Sequence, residues 1–125
     1  MQNEKNGRTV LVVEDDNISR TLLKEILKKK DITLHFENSG KEALNYINEN
    51  PLPNLILMDI RLPDISGIDI AKEILEKHPE VIIVAQTAFA NMSMEEKCMK
   101  VGMKAFLTKP LQRSMVEKVV ENYLG

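Results

Sequence analysis

Glu14, Asp15 and Asp16 follow the apolar run LVV without an intervening turn, and Asp59 closes a second apolar run in LILMD. Taken singly, an acid or Asn after a strand caps the next helix, and acids in a first helical turn suit its dipole. That reading accounts for one of the three clustered acids. Carboxylates brought together raise one another's pKa and repel unless a cation joins them. A hard divalent ion resolves the conflict, since Mg²⁺ takes oxygen ligands, commonly one or two carboxylates plus phosphate oxygens, and keeps several waters. An ionised Asp beside such an ion can act as nucleophile toward a phosphoryl donor and become an aspartyl phosphate. The transferred group then needs a hydroxyl and a cation. Thr87 in VAQT and Lys109 in FLTKP end two further apolar runs and are of those types. Each has a plainer reading alone, as a loop cap and a surface lysine, but all of these strand ends together make coincidence a poor explanation.

These residues need a frame that carries strand ends to one rim. Runs rich in Val, Ile and Leu recur at TVLVVE (9–14), ITLHFE (32–37), NLILMD (54–59), VIIVAQ (81–86) and KAFLTK (104–109). Between them, apolar residues fall at helical spacing: Ile18, Leu22, Leu23, Ile26 and Leu27 within 17–30, then Ala43, Leu44 and Ile47, then Ile70, Ala71, Ile74 and Leu75. Ser39 with Glu42 and Ser93 with Glu96 match the S-x-x-E capping box, Gly102 stands where a helix would end, and Pro51, Pro53 and Pro79 punctuate the returns to strands. Strict alternation with strands apolar on both faces argues for a (βα)5 doubly wound parallel sheet covered on each side. In such a sheet the ligand site lies beyond the carboxyl ends of the strands, where the acids, Gln86-Thr87 and Lys109-Pro110 all fall.

Composition sets the outer bounds. A chain of 125 residues with 43% hydrophobic and 29% charged residues reads as one globular domain, with residues 1–7 as a tail. No apolar run approaches the roughly 20 residues of a membrane span, and MQNEKNGR lacks the apolar stretch of a signal peptide. The single Cys98, without a CxxC neighbour, fits a reducing compartment and a structural or incidental role, so the expected location is cytoplasmic. With net charge −2 no broad basic face for nucleic acid is expected, and Lys28-Lys29-Lys30 reads as the solvated end of a helix.

The motifs VLVVEDDN, LILMDIRLPDISG, QTA and LTKP, with the distances between them, resemble the receiver domains of bacterial two-component response regulators, from about Arg8 to Leu124. The resemblance implies a flavodoxin-like five-stranded sheet of order 2-1-3-4-5. It implies Mg²⁺, for which Mn²⁺ can substitute, with Asp15 as direct ligand, Glu14 acting through water, Asp59 as phosphoryl acceptor and Arg61 offering its backbone carbonyl. Asp16 or Asn17 is left to start the helix. Thr87 would be the switch hydroxyl, Lys109 the phosphoryl-binding lysine, and Lys109-Pro110 a cis peptide bond. Pro63 and Gly67 would shape the loop beyond the acceptor. Phe106, three residues before the lysine, would move inward on activation and bias the face at residues 91–124, although a buried strand Phe is the plain alternative. Arg61 and Phe89 would flank the phosphoryl group and obstruct the in-line water, giving slow self-dephosphorylation.

The implied donor is a phosphohistidine on a sensor histidine kinase or histidine phosphotransfer domain. It would approach over the first helix, with Ile18 as an exposed contact beside Pro110 and Leu111; a core role for Ile18 is the alternative. An output partner would meet the 91–124 face, with no direct contact to nucleic acid or membrane. Lys104 and Ala105 stand where many DNA-binding members carry two acids that pair in a dimer. RTLLKEILKK, LILMDI and AQTAFA are similar to receivers of hybrid sensor kinases, so the chain is read as stand-alone or as part of such a kinase, tethered to a membrane through it. As a catalyst it would act on its own phosphorylation and slow dephosphorylation, primarily as a switch. Three rivals fit less well. A flavodoxin-like cofactor carrier needs a phosphate-cradling Gly/Ser/Thr loop where EDDN stands. A phosphatase of the haloacid-dehalogenase type needs an Asp where Arg61 stands. A degenerate receiver used only for binding would have no need of intact acids, Thr87 and Lys109.

Overall fold

The computed structural model describes residues 8–28 and 30–125, so the expected tail at 1–7 and the middle of the lysine triplet, Lys29, lie outside the described residues. Strands and helices alternate as β1 (Thr9–Val13), α1 (Asn17–Leu27), β2 (Thr33–Glu37), α2 (Gly40–Glu49), β3 (Leu55–Asp59), α3 (Gly67–Lys77), β4 (Ile83–Thr87), α4 (Met92–Val101), β5 (Ala105–Thr108) and α5 (Arg113–Leu124). The strands pair in parallel in the order β2-β1-β3-β4-β5, the expected doubly wound, flavodoxin-like sheet.

Every residue of β3 and β4 is buried, because both faces of the sheet are covered. Val10, Val12, Leu55, Leu57 and Val84 point to one side, where Leu23, Ile26 and Leu27 of α1 and Val116, Val119 and Val120 of α5 close the layer. Leu11, Val13, Ile56, Met58, Ile83 and Ala85 point to the other, against Ala43 and Ile47 of α2, Ile70, Ala71 and Ile74 of α3, and Cys98 of α4. Each fully buried Leu or Ile stabilises by about 1.5–3 kcal/mol relative to exposure, so the central strand pair is the stiffest base from which a site can project. Among the described residues no helix is long and apolar enough to cross a membrane.

Several local expectations shift. Asp16, not Asn17, is the cap of α1, its carboxylate accepting from the Ser19 N–H at 3.0 Å and Ser19 Oγ at 2.9 Å. The helix ends at Leu27 rather than running to residue 30. Ile18 is 79% exposed; as the second residue of α1 it faces away from the stripe of Leu23, Ile26 and Leu27, which removes its core reading. Ser39 caps α2 through the Glu42 N–H at 3.2 Å, but the Glu42 carboxylate reaches the Asn38 N–H instead of closing the box on Ser39. Ser93 is no cap at all. Asn91 takes that place, its Oδ1 accepting from the Met94 N–H at 2.8 Å, so α4 opens at Met92 and Ser93 falls inside the first turn. Gly102 ends α4 at φ 109°, a left-handed conformation that glycine adopts without penalty. On the outer side of α4 Met92 and Met99 are exposed, and Cys98 is its one buried residue.

Candidate functional site

Parallel pairing brings the strand ends into line. Asp59 pairs across from Gln86, and Thr87 from Thr108. Glu14 follows β1 directly and donates its N–H to Glu37 O, while the Lys109 N–H donates to Thr87 O at 2.9 Å. The acids, the threonine and the lysine therefore share the carboxyl rim of the sheet.

Glu14, Asp15 and Asp59 each offer an oxygen within 4.8 Å of the others, with Asp15 exposed and the other two buried. Lys109 Nζ lies between them, 2.7 Å from Glu14 Oε1 and 3.2 Å from Asp59 Oδ2. The contact to Glu14 is close in distance but off the line of a directed hydrogen bond, so Oε1 is ion-paired rather than fully satisfied. Burial pushes the Glu14 carboxyl up to about 7 despite the pull of Lys109, and the charge of Asp59 adds to the rise. Burial also works against the Lys109 ammonium, yet Glu14 and Asp59 outweigh it and raise its pKa above the ordinary lysine value. A fully buried carboxyl facing two further carboxylates across one lysine is an arrangement that a second, harder cation would complete.

Around this cluster, Asp59 Oδ1 accepts from the Arg61 N–H at 3.0 Å, which seats the loop after β3 on the acid itself. Glu14 Oε2 likewise accepts from the Asp16 N–H at 3.1 Å. The Arg61 guanidinium stacks 4.2 Å over the Phe89 ring, closing the space between the β3–α3 and β4–α4 loops. Thr87 is fully buried, and its Oγ1 accepts from the Phe89 N–H at 3.1 Å, so its contact here is with its own loop and not with the acids. The Lys109-Pro110 peptide is cis. Gly67 is packed so tightly that a Cβ there would lie 2.1 Å from the Asp59 carbonyl oxygen.

The family model of the response regulator receiver domain matches residues 10–121. The chain belongs to the receiver domains. The polar-differentiation response regulator DivK of Brucella ovis is 32% identical over 120 residues, covering 94% of this chain and 97% of DivK. The receiver domain of the sensor histidine kinase PA1611 of Pseudomonas aeruginosa, solved with magnesium coordinated in its active-site cleft, superposes with a TM-score of 0.83 at 29% identity, covering 95% of this chain and 98% of that one. The receiver of the response regulator Ssk1 of Saccharomyces cerevisiae, solved with the histidine phosphotransfer protein Ypd1, gives 0.84 at 32% identity over 93% and 88% of the two chains.

In this receiver domain Phe106 is half-buried against the α3–α4 layer. Leu111, expected at the docking surface, is 6% exposed and packs into the α1–α5 layer. It is therefore part of the core, and of the three residues expected at the docking surface only Ile18 and Pro110 are exposed. Two features of the receiver's rim have no signature in the sequence. Gln86 is completely buried beside Asp59, and its amide Oε1 and Nε2 have no hydrogen-bond partner within the protein. Asp64 reaches out of the acceptor loop to the start of α2. An Asp five residues after a strand reads locally as the start of α3, a place that Ser66 fills.

Proposed function

We propose that this receiver accepts a phosphoryl group on Asp59 from the phosphohistidine of a sensor histidine kinase or a histidine phosphotransfer domain, with Mg²⁺ as cofactor and Mn²⁺ as a substitute. The carrying observation is the three carboxylates within 4.8 Å of one another with Lys109 on two of them. Asp15, Asp59 and the Arg61 carbonyl would hold the ion, with Glu14 acting through water. When bound, such an ion neutralises the cluster and draws phosphoryl oxygens to the acceptor. An Asp59 carboxylate oxygen attacks phosphorus as the P–N bond to the imidazole breaks; the imidazole leaves with the bonding pair, and the new P–O bond makes an acyl phosphate. Lys109 pairs with one phosphoryl oxygen. Thr87, on leaving the Phe89 N–H, donates its hydroxyl proton to another, and the inward movement of Phe106 that follows biases the face at 91–124 toward its output partner.

The donor approaches over α1, where Ile18 is exposed, and Pro110, which follows Lys109 at the rim, is exposed as well. The likeness to a receiver solved with a histidine phosphotransfer protein supports a donor of that kind. The domain works in the cytoplasm, alone or as part of a larger kinase. Incubation with Mg²⁺ and acetyl phosphate followed by intact mass measurement tests the reading: the wild type should gain one phosphoryl group and Asp59→Asn none. A wild type that gains no phosphoryl group would overturn it.

The Arg61–Phe89 stack supports a slow return to the resting form, because the two side chains screen the approach that a hydrolytic water needs. Replacing both by alanine is expected to speed loss of the phosphoryl group roughly tenfold. An unchanged decay, followed by the same mass measurement after removal of the donor, would show that the stack has no part in lifetime.

A further inference from the structure

Asp64 lies in the loop that leads from Asp59 to α3, but its carboxylate is turned to another element. Oδ1 accepts from the Gly40 N–H and Oδ2 from the Lys41 N–H, both at 2.9 Å. These are the first two residues of α2. A loop acid thus occupies the N-terminus of a helix to which it is not joined, with its negative charge at the positive end of the dipole. That helix already has its own cap in Ser39, so Asp64 is not required to start it. The approach is close. A Cβ on Gly40 would lie 3.4 Å from Asp64 Oδ1 and 2.7 Å from Ile70 Cγ1, so α2 meets the loop and α3 where a side chain has no room.

The loop gains little from packing. Arg61 and residues 63–66 are exposed, and Leu62 is half-buried. Its fixed points are the Arg61 N–H on Asp59 Oδ1, the Gly67 N–H on Ile60 O, the Arg61–Phe89 stack, and Asp64 on α2. Asp64 stands three residues from Arg61 in the same loop, so where the loop is held sets where the Arg61 carbonyl lies.

We propose that Asp64 is a positioning residue for the metal and phosphoryl site, clamping the acceptor loop to the N-terminus of α2 and so fixing the Arg61 carbonyl beside Asp59. This rests on the proposed function above, in which that carbonyl is a metal ligand. Groups that orient metal ligands without touching the ion commonly change affinity by roughly 10–100-fold when removed. The two helix N–H bonds also hold the Asp64 carboxyl below the usual carboxylate range, so the clamp is closed at neutral pH.

The test compares Asp64→Ala, Asp64→Asn and Ser39→Ala in the full chain. Mn²⁺ affinity is read by water-proton relaxation, half-saturating Mg²⁺ for phosphorylation by acetyl phosphate is read by mass, and a denaturant midpoint is recorded for each variant. Asp64→Ala should weaken Mn²⁺ binding and raise the Mg²⁺ requirement roughly tenfold. Asp64→Asn, which keeps one oxygen acceptor, should fall between it and the wild type. Ser39→Ala weakens the same helix start and should leave both metal readings at the wild-type value. Wild-type Mn²⁺ affinity in Asp64→Ala, or an equal loss in Ser39→Ala, would overturn the clamp while leaving phosphorylation of Asp59 intact. A wild type that neither binds Mn²⁺ nor gains a phosphoryl group would overturn the proposed function and the clamp with it.

Discussion

Lys109→Met is expected to lower the stability of the metal-free protein by about 3 kcal/mol near pH 8 and by much less near pH 5, besides slowing phosphorylation by roughly 100-fold or more. The lysine is the one cation on both buried carboxylates among the described residues, 2.7 Å from Glu14 and 3.2 Å from Asp59. Without it two acids face each other inside the protein, and removing one partner of a buried pair costs more than the pair is worth. The pH dependence follows from Glu14. Its carboxyl is held near 7 in the fold against an ordinary 4.5, so the native state keeps a proton that the unfolded chain has lost. The stability tied to that proton is fully present below the unfolded value and is lost as pH rises through the folded one. Removing Lys109 takes away a group that lowers the Glu14 pKa, which steepens the loss on the alkaline side. Urea denaturation of both proteins at about pH 5 and about pH 8 in chelator measures the effect. Glu14→Gln in the same background should recover most of the alkaline loss. Equal losses at both pH values would mean that Lys109 acts through packing of its stem and not through charge.

Gly67→Ala is expected to cost about 2–3 kcal/mol and to displace the acceptor. The added methyl would lie 2.1 Å from the Asp59 carbonyl oxygen and 2.9 Å from the Asp59 carbonyl carbon and the Ile60 Cα. All of these are backbone atoms of the strand end, so relief means moving α3 away from β3 or shifting Asp59 itself. Misplacement of a reacting group by about 1 Å can reduce rate by roughly 100-fold, and the phosphorylation rate should fall with the stability. Gly40→Ala is the useful contrast. Its methyl would meet Cγ1 and Cδ1 of the Ile70 side chain at 2.7 and 2.8 Å and no backbone of the strand end, so its loss should be smaller. Denaturation midpoints of the two variants decide the matter, and a Gly67→Ala protein as stable as the wild type would mean that strand and helix can separate freely here.

The sheet was readable because β3 and β4 are apolar on both faces, a pattern that only a strand covered on two sides requires. Its limits were less so. Val81 and Ile82 continue the apolar run before β4 without joining the strand, which starts at Ile83. At α4 two capping sequences compete within three residues, and spelling alone favours Ser93 with Glu96; Asn91 prevails because its side chain, two residues earlier, reaches the Met94 N–H. Residue type marked Glu14, Asp15, Asp59, Thr87 and Lys109 because a charged or hydroxyl side chain at the end of a buried strand demands a reason. Nothing local marked the exchange of partners among them. The lysine bridging Glu14 and Asp59, the unpartnered amide of Gln86 and the reach of Asp64 to α2 all join residues far apart in the chain. Such contacts are set by register and packing, which a linear pattern does not carry.

The thin attachment of α4 has a thermodynamic consequence. Where α1 buries Leu23, Ile26 and Leu27 and α5 buries Val116, Val119 and Val120, α4 buries Cys98 alone, and its Met92 and Met99 already face water. Met94 and Val101 pack half-buried against the core beside Cys98, which is still less apolar surface than α1 or α5 would expose on opening, so α4 stands lower than they do on the ladder of local opening free energies. The central strands and their acids stand at the top of that ladder. A modest input of free energy at the rim is thus enough to redistribute the conformers of α4 while the sheet that holds the chemistry stays closed.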